Sequence, residues 1–185
     1  MGFPVGRPSL RILWRESHAS SAASAGALAG LPASLVAAVA LVLLDLAAGR
    51  APAQSLAAIG AVWPGAPLAG PRLVLLALAL HLAAGACLGV VFGVLVAVTA
   101  HHLPPLTGAA WGSLLGLAAW FVGFHVILPW VAPTIVAEVP AREAILWHVA
   151  YGAATGWLFH FMRPRERERH RVPAVPGRRR RDELP

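Results

Sequence analysis

Long apolar stretches follow one another along the chain. Four of them have about the 20 residues that an α-helix needs to cross some 30 Å of hydrocarbon. They run from Ala25 to Leu44, Leu73 to Ala100, Thr107 to Leu128 and Ala144 to Met162. This pattern predicts an all-α membrane protein with four transmembrane helices over residues 23–162. Residues 1–22 are predicted to be a cytoplasmic segment, and residues 163–185 are predicted to be a disordered tail rich in Arg.

The connections between the predicted helices differ in character. Residues 55–63 are apolar, which leaves two interpretations: an outer loop on the lipid headgroups, or a re-entrant segment shielded by protein. Residues 101–105, His-His-Leu-Pro-Pro, predict a tight turn, because two prolines cannot continue a helix. Such a turn predicts that the second and third helices are antiparallel neighbours. Cleavage of the first stretch as a signal peptide is disfavoured, because its apolar run is too long.

Composition and charge agree with this interpretation. The chain is 58% hydrophobic and 12% charged, which excludes an ordinary soluble domain. Its net charge of +7 comes from arginines concentrated at the two ends, so a nucleic-acid-binding surface is not expected. Because cytoplasmic flanks retain positive charge, both termini are predicted inside. The tail is expected to contact anionic headgroups.

Tryptophans are expected at both membrane boundaries, where aromatic side chains form belts. This topology assigns Trp14, Trp111 and Trp157 to the inner belt. It assigns Trp63, Trp130 and Trp147 to the outer belt.

Two helices carry the same motif. His81-x3-Gly85-x3-Gly89 in the second matches His148-x3-Gly152-x3-Gly156 in the fourth, and glycines at four-residue spacing also occur in the first and third. The chain is therefore predicted to contain two parallel-repeat helical hairpins. Residues four apart share a helix face, so these glycines are expected to let helix backbones approach closely. The predicted packing glycines are Gly85, Gly89, Gly93, Gly108, Gly112, Gly116, Gly152 and Gly156.

Four ionisable residues are predicted at similar depth on the outer side, namely His81, His125, His148 and Asp45. Ionisable groups inside a membrane are costly and are therefore candidate functional residues. Three hypotheses remain for this cluster: hydrogen bonds that fix helix registry, a proton-responsive site, and a site for a metal ion or haem b. No haem-attachment motif is present, and the single Cys87 excludes an internal disulfide.

A further series of motifs begins in the third predicted helix and continues into the tail. Gly-x3-Gly is followed by Phe124-His125-x3-Pro129, Ala132-Pro133, a His in the fourth helix and a terminal Arg-rich tail. This order, together with the His in the second helix, resembles the YagU-type family of small bacterial inner-membrane proteins. The resemblance implies four helices, an inner-membrane location and no assigned reaction. It marks His81, His125, Pro129 and His148 as shared positions without an established role. The chain departs from the family in its shorter first outer loop and its many Gly and Ala residues.

We therefore predict a non-catalytic inner-membrane protein, not an enzyme, with an outer-side histidine cluster that responds to protons. It needs no cofactor, and its partners are the bilayer and either a second copy or another membrane subunit. One alternative is a haem b- or metal-binding subunit of a membrane electron-transfer complex. Another is a small transporter that acts as an oligomer.

Overall fold

The computed structural model describes residues 10–63, 70–99 and 103–163, and every regular element in these ranges is helical. The elements are α1 (Leu10–Ala47), α2 (Gln54–Gly60), α3 (Pro71–Thr99), α4 (Pro105–Val122), a π-helical turn (Gly123–Ile127), α5 (Leu128–Val131), α6 (Pro133–Glu138) and α7 (Ala141–Met162). The all-α prediction is confirmed for these residues. Residues 1–9 of the predicted N-terminal segment and residues 164–185 of the predicted Arg-rich tail lie outside the described residues.

Three of the described helices are long and apolar enough to cross a membrane. They are Ala19–Ala47 within α1, Pro71–Thr99, and Pro105–Val131, which runs through α4, the π-helical turn and α5. The fourth predicted span corresponds to α7, which has 22 residues but a lower mean hydropathy. His148, Tyr151 and His160 account for much of that difference.

Side-chain size separates the buried and exposed faces of α1. The buried positions are mostly alanines, while the bulky apolar residues of the same helix are exposed. The buried alanines are Ala22, Ala25, Ala29, Ala33, Ala37 and Ala38, and the exposed residues include Leu28, Leu31, Leu35, Val36 and Val39. In water such a surface would be strongly unfavourable, whereas lipid tails solvate it. The distribution is therefore compatible with an integral membrane protein.

The four long helices pack as two close pairs. α1 packs along α3, and α4 packs along α7. α1 also packs against α7. In addition, the rings of Phe92 in α3 and Phe159 in α7 meet edge to face, with centroids 5.4 Å apart. α3 and α4 make little contact, so the predicted neighbourhood of the second and third helices is wrong. The glycine face of α3 turns towards α1, and that of α4 turns towards α7. Side-chain shape therefore determines which helices pair, in spite of the short connection between α3 and α4.

Glycines form the contact within each pair. In the first pair, Gly26 and Gly30 of α1 lie against Gly85 and Gly89 of α3. A Cβ added at any of these four positions would overlap the facing helix, at a backbone carbonyl or, for Gly85, at the Ser34 side chain. In the second pair the same role falls to Gly108, Gly112, Gly116, Gly152 and Gly156, and Gly93 meets Ala22 in the first. All eight predicted packing glycines therefore lie at the two helix contacts.

Residues 54–60 form the short helix α2, part of the apolar run for which a loop and a re-entrant segment were the two hypotheses. Leu56 and Gly60 are buried, and Gly60 lies against Leu73 and Ala77 of α3. Ala53, just before the helix, has φ +62°, in the left-handed region. The chain therefore turns sharply after α1 and folds back onto α3.

The glycine contacts predict a sharp difference between two Gly→Ala substitutions in the same helical stretch. Gly112→Ala places a methyl group on the carbonyl of Gly152, whereas Gly123 has open space around its Cβ position. We expect Gly112→Ala to destabilise the protein by about 1–3 kcal/mol, the usual cost of overpacking. Gly123→Ala, the matched control, should leave stability unchanged or slightly raised. Thermal unfolding in detergent measures both, and equal melting temperatures for the two variants would contradict the packing account.

Candidate functional site

A cavity of about 340 Å³ lies between the two helix pairs. Most of its wall is apolar and includes Leu41, Ile59, Phe124 and Ile135. Its polar side chains are Ser34, Ser55, His81, Trp147, His148 and Tyr151. A concave, mostly apolar surface with a few polar groups is the usual form of a small-molecule site.

Two of the predicted histidines line this cavity, and each uses one ring nitrogen to bind a backbone carbonyl. His81 Nε2 donates to the carbonyl of Ser34 at 3.1 Å, across the α1–α3 contact. His148 Nδ1 donates to Ala144 at 2.8 Å, one turn earlier in α7. A nitrogen that donates to a carbonyl must carry the proton, so in each neutral ring the other nitrogen is an acceptor. His81 Nδ1 and His148 Nε2 have no hydrogen-bond partner among the described residues.

Two further polar atoms of the cavity lining are buried without a partner. Ser34 is 1% exposed, and neither its hydroxyl oxygen nor Trp147 Nε1 has a hydrogen bond with any described residue. Buried polar groups are nearly always paired in folded proteins, so unpaired ones need an explanation. Trp147, which was predicted in the outer belt, lines the cavity. Trp63 and Trp130, predicted in the same belt, are exposed.

Tyr151 connects the two helix pairs beside the histidines. Its hydroxyl donates to the carbonyl of Gly85 in α3 at 2.5 Å. Gly85 has no side chain to cover that carbonyl, so the hydroxyl of α7 reaches it. This bond joins α7 to α3 at the base of the cavity, one helical turn from His81.

The structure places the third predicted histidine, His125, elsewhere. It is exposed and does not line the cavity, and its ring packs against Trp120 and Phe121, with centroids 5.2 and 5.1 Å away. Phe124 takes the inward position and meets His148 edge to face at 6.2 Å. Both residues lie in the π-helical turn, and adjacent helical residues point to different faces, so only one of them reaches the interior.

Asp45 is likewise outside the cavity lining, because it organises the connection between α1 and α2. Its carboxylate is fully buried and accepts hydrogen bonds from Ser55 N at 2.9 Å and Ser55 Oγ at 2.6 Å. Ser55 is the second residue of α2, whose first amides have no partner within the helix. Ala53, at the cap position, makes no side-chain cap. Asp45 therefore caps α2 from the end of α1.

Arg50 extends this network to the second helix pair. Its Nε donates to Asp45 at 2.8 Å, and its terminal nitrogen lies 3.5 Å from Glu143 of α7. The hydrogen bond with Asp45 raises the pKa of the Arg50 guanidinium, so its charge is constant at physiological pH. Arg50 and Glu143 are 29% and 31% exposed, so water competes for their pair and the link is weak.

The predicted four-residue cluster is thus divided. His81 and His148 share the cavity, while His125 faces outwards and Asp45 holds α2. Within the described ranges, no three His, Cys, Asp or Glu side chains are grouped to hold one metal ion. A proton-responsive site would therefore reduce to the two cavity histidines.

Sequence reasoning overlooked Ser34, Ser55 and Tyr151. Ser34 carries a recognisable signal, since it continues the row of small residues Gly26 and Gly30 by one more turn. Nothing in the pattern singled out Ser55 or Tyr151, because their roles depend on partners distant in sequence.

Comparisons of the chain with protein-family models, curated proteins and solved structures give no match.

The buried carboxylate and its weak outer partner predict unequal mutational effects. Asp45→Ala leaves the Ser55 amide and Arg50 without their acceptor and should cost about 2–4 kcal/mol of stability. Faster hydrogen exchange over residues 54–60 should accompany that loss. Glu143→Gln is the control, expected within about 0.5 kcal/mol of the unmodified protein. Unchanged exchange in Asp45→Ala would show that α2 is held by other contacts.

Proposed function

We propose that the chain is an integral inner-membrane protein with four spans, α7 being the fourth. Its 22 residues extend about 33 Å at 1.5 Å per residue, enough for the hydrocarbon core. The polar His148 and Tyr151 face the cavity, whereas Leu146, Trp157 and Phe161 are exposed. The lower mean hydropathy of α7 therefore comes in part from side chains that lipid does not meet.

The four spans form two copies of one hairpin in this proposal. Corresponding glycines support it, because Gly26 faces Gly89 in the first pair as Gly108 faces Gly156 in the second. One turn further along, Gly30 meets Gly85 as Gly112 meets Gly152. The same register in both pairs is what a parallel repeat requires.

The topology predicts which side of the membrane each connection faces. In a Cys87→Ala background, a cysteine placed at Ala66 should react with a membrane-impermeant maleimide added to intact cells. A cysteine placed at Gly177, in the tail, should react only after permeabilisation, because the Arg-rich flanks hold both termini inside. Labelling of the tail position in intact cells would overturn the four-span arrangement.

We further propose that the protein is non-catalytic and that its cavity binds a small, largely apolar molecule. The observation that carries this proposal is an apolar space of about 340 Å³ lined by two imidazoles, each with one ring nitrogen that has no hydrogen-bond partner among the described residues, His81 Nδ1 and His148 Nε2. At about 30 Å³ for each water- or methylene-sized group, the space takes roughly eleven such groups. The two ring nitrogens give an occupant something to bind besides hydrocarbon.

Binding of 4-butylanisole, an uncharged probe of about this size, tests the cavity. Equilibrium dialysis of protein in lipid nanodiscs, corrected for empty nanodiscs, should reveal one saturable site per chain. Ala84 lines the cavity, so the ring added by Ala84→Phe should occupy part of that space and weaken this binding at least tenfold. Leu114→Phe adds the same ring at a site 59% exposed and should leave binding unchanged. Absence of a saturable site for 4-butylanisole and hydroxyl-bearing analogues, or equal effects of the two substitutions, would refute the proposal.

One observation favours haem b as a second candidate. Histidines that bind metals usually donate their other ring N–H to a carbonyl or carboxylate, as His81 and His148 do here. An optical spectrum of the purified protein separates the candidates. A Soret band lost in both His81→Ala and His148→Ala supports haem, and its absence after expression with excess haem removes this candidate.

A further inference from the structure

The polar atoms of the cavity specify what an occupant must offer. His81 Nδ1 and His148 Nε2 are acceptors, because the other nitrogen of each ring donates to a carbonyl. Ser34 Oγ and Trp147 Nε1 have almost no accessible surface, so an occupant reaches the ring nitrogens rather than these two atoms. A head group that only accepts leaves both ring nitrogens unpaired. Pairing one of them requires a group that donates.

The absence of charged side chains from the described cavity lining narrows the choice of head group further. No Asp, Glu, Lys or Arg side chain is among the described residues that line the cavity. Arg50, which is not among the lining residues, is already paired with Asp45 and Glu143. An anionic or cationic head would therefore be buried without a counter-ion, which is strongly unfavourable. An uncharged group fits.

A hydroxyl meets these requirements with one atom. We propose that the cavity recognises an uncharged amphiphile with a hydroxyl head, such as a phenol or an isoprenoid alcohol. The hydroxyl donates to one of the two unpaired ring nitrogens, while the apolar part lies along Leu41 and Ile59. This assignment rests on the proposed binding function and adds the chemistry of the ligand to it.

Paired probes that differ only at the head test the assignment. 4-Butylphenol should bind nanodisc-embedded protein about tenfold more tightly than 4-butylanisole, whose methyl ether accepts but cannot donate. His81→Leu and His148→Leu each remove an acceptor nitrogen. One of these two variants should erase most of that preference. His125→Leu, which alters a histidine outside the cavity, is the matched control and should preserve the preference.

The ether also reports whether each variant retains a folded cavity, because its affinity should not fall. Equal affinities of phenol and ether in the unmodified protein would overturn hydroxyl recognition while the binding function stood. No saturable site for either probe would remove both. A preference that survives both histidine substitutions would also overturn the assignment, since the hydroxyl would then be bound elsewhere.

Competition separates two sources of this chemistry. Farnesol, a membrane-soluble alcohol, should displace 4-butylphenol if the natural occupant is a lipid, with the displacement abolished by Ala84→Phe. Failure of farnesol to compete, with phenol binding intact, supports a compact phenol as the occupant.

Discussion

Direct contact between helix backbones at glycine is the interaction on which the rest of this structure depends. At Gly112 and Gly152, as at Gly26 and Gly89, a single methyl group would meet a carbonyl of the facing helix. Lipid tails are as apolar as leucine, so the hydrophobic effect does not drive helices together within a bilayer. Close packing of small residues provides attraction there. This chain concentrates such packing in two glycine seams, which are the contacts between α1 and α3 and between α4 and α7. The bulky side chains are left for the exposed surface.

The cavity lies beyond the ends of these seams. His81 and His148 each precede the first glycine of their row by one turn, and in α4 the row ends at Gly116, before the π-helical turn. Two turns past Gly116, the same row of α4 carries Phe124, a much larger side chain that lines the cavity. Space and polar groups therefore occur together for one reason. The same change in residue size that ends the close contact opens the room in which the imidazoles lie.

The glycine rows and two of the histidines were accessible from the sequence, because four-residue spacing on a helix determines which residues share a face. The neighbours of each helix were not, since the Pro104-Pro105 turn suggested an α3–α4 contact that glycine complementarity overrides. His125 and Asp45 were misplaced for local reasons. A π-helical turn rotates His125 outwards, and a buried carboxylate was needed to cap a helix that the apolar run over residues 55–63 did not reveal.

The helix pairs are joined unequally, and this bears on how a molecule reaches the interior. α1 and α7 pack together, whereas α3 and α4, the helices that a perfect two-fold relation would join in the same way, scarcely touch. Separating α3 from α4 breaks few contacts and leaves both glycine seams whole. In the membrane arrangement proposed above, a molecule dissolved in lipid would reach the cavity from the side, between α3 and α4, with few helix contacts broken.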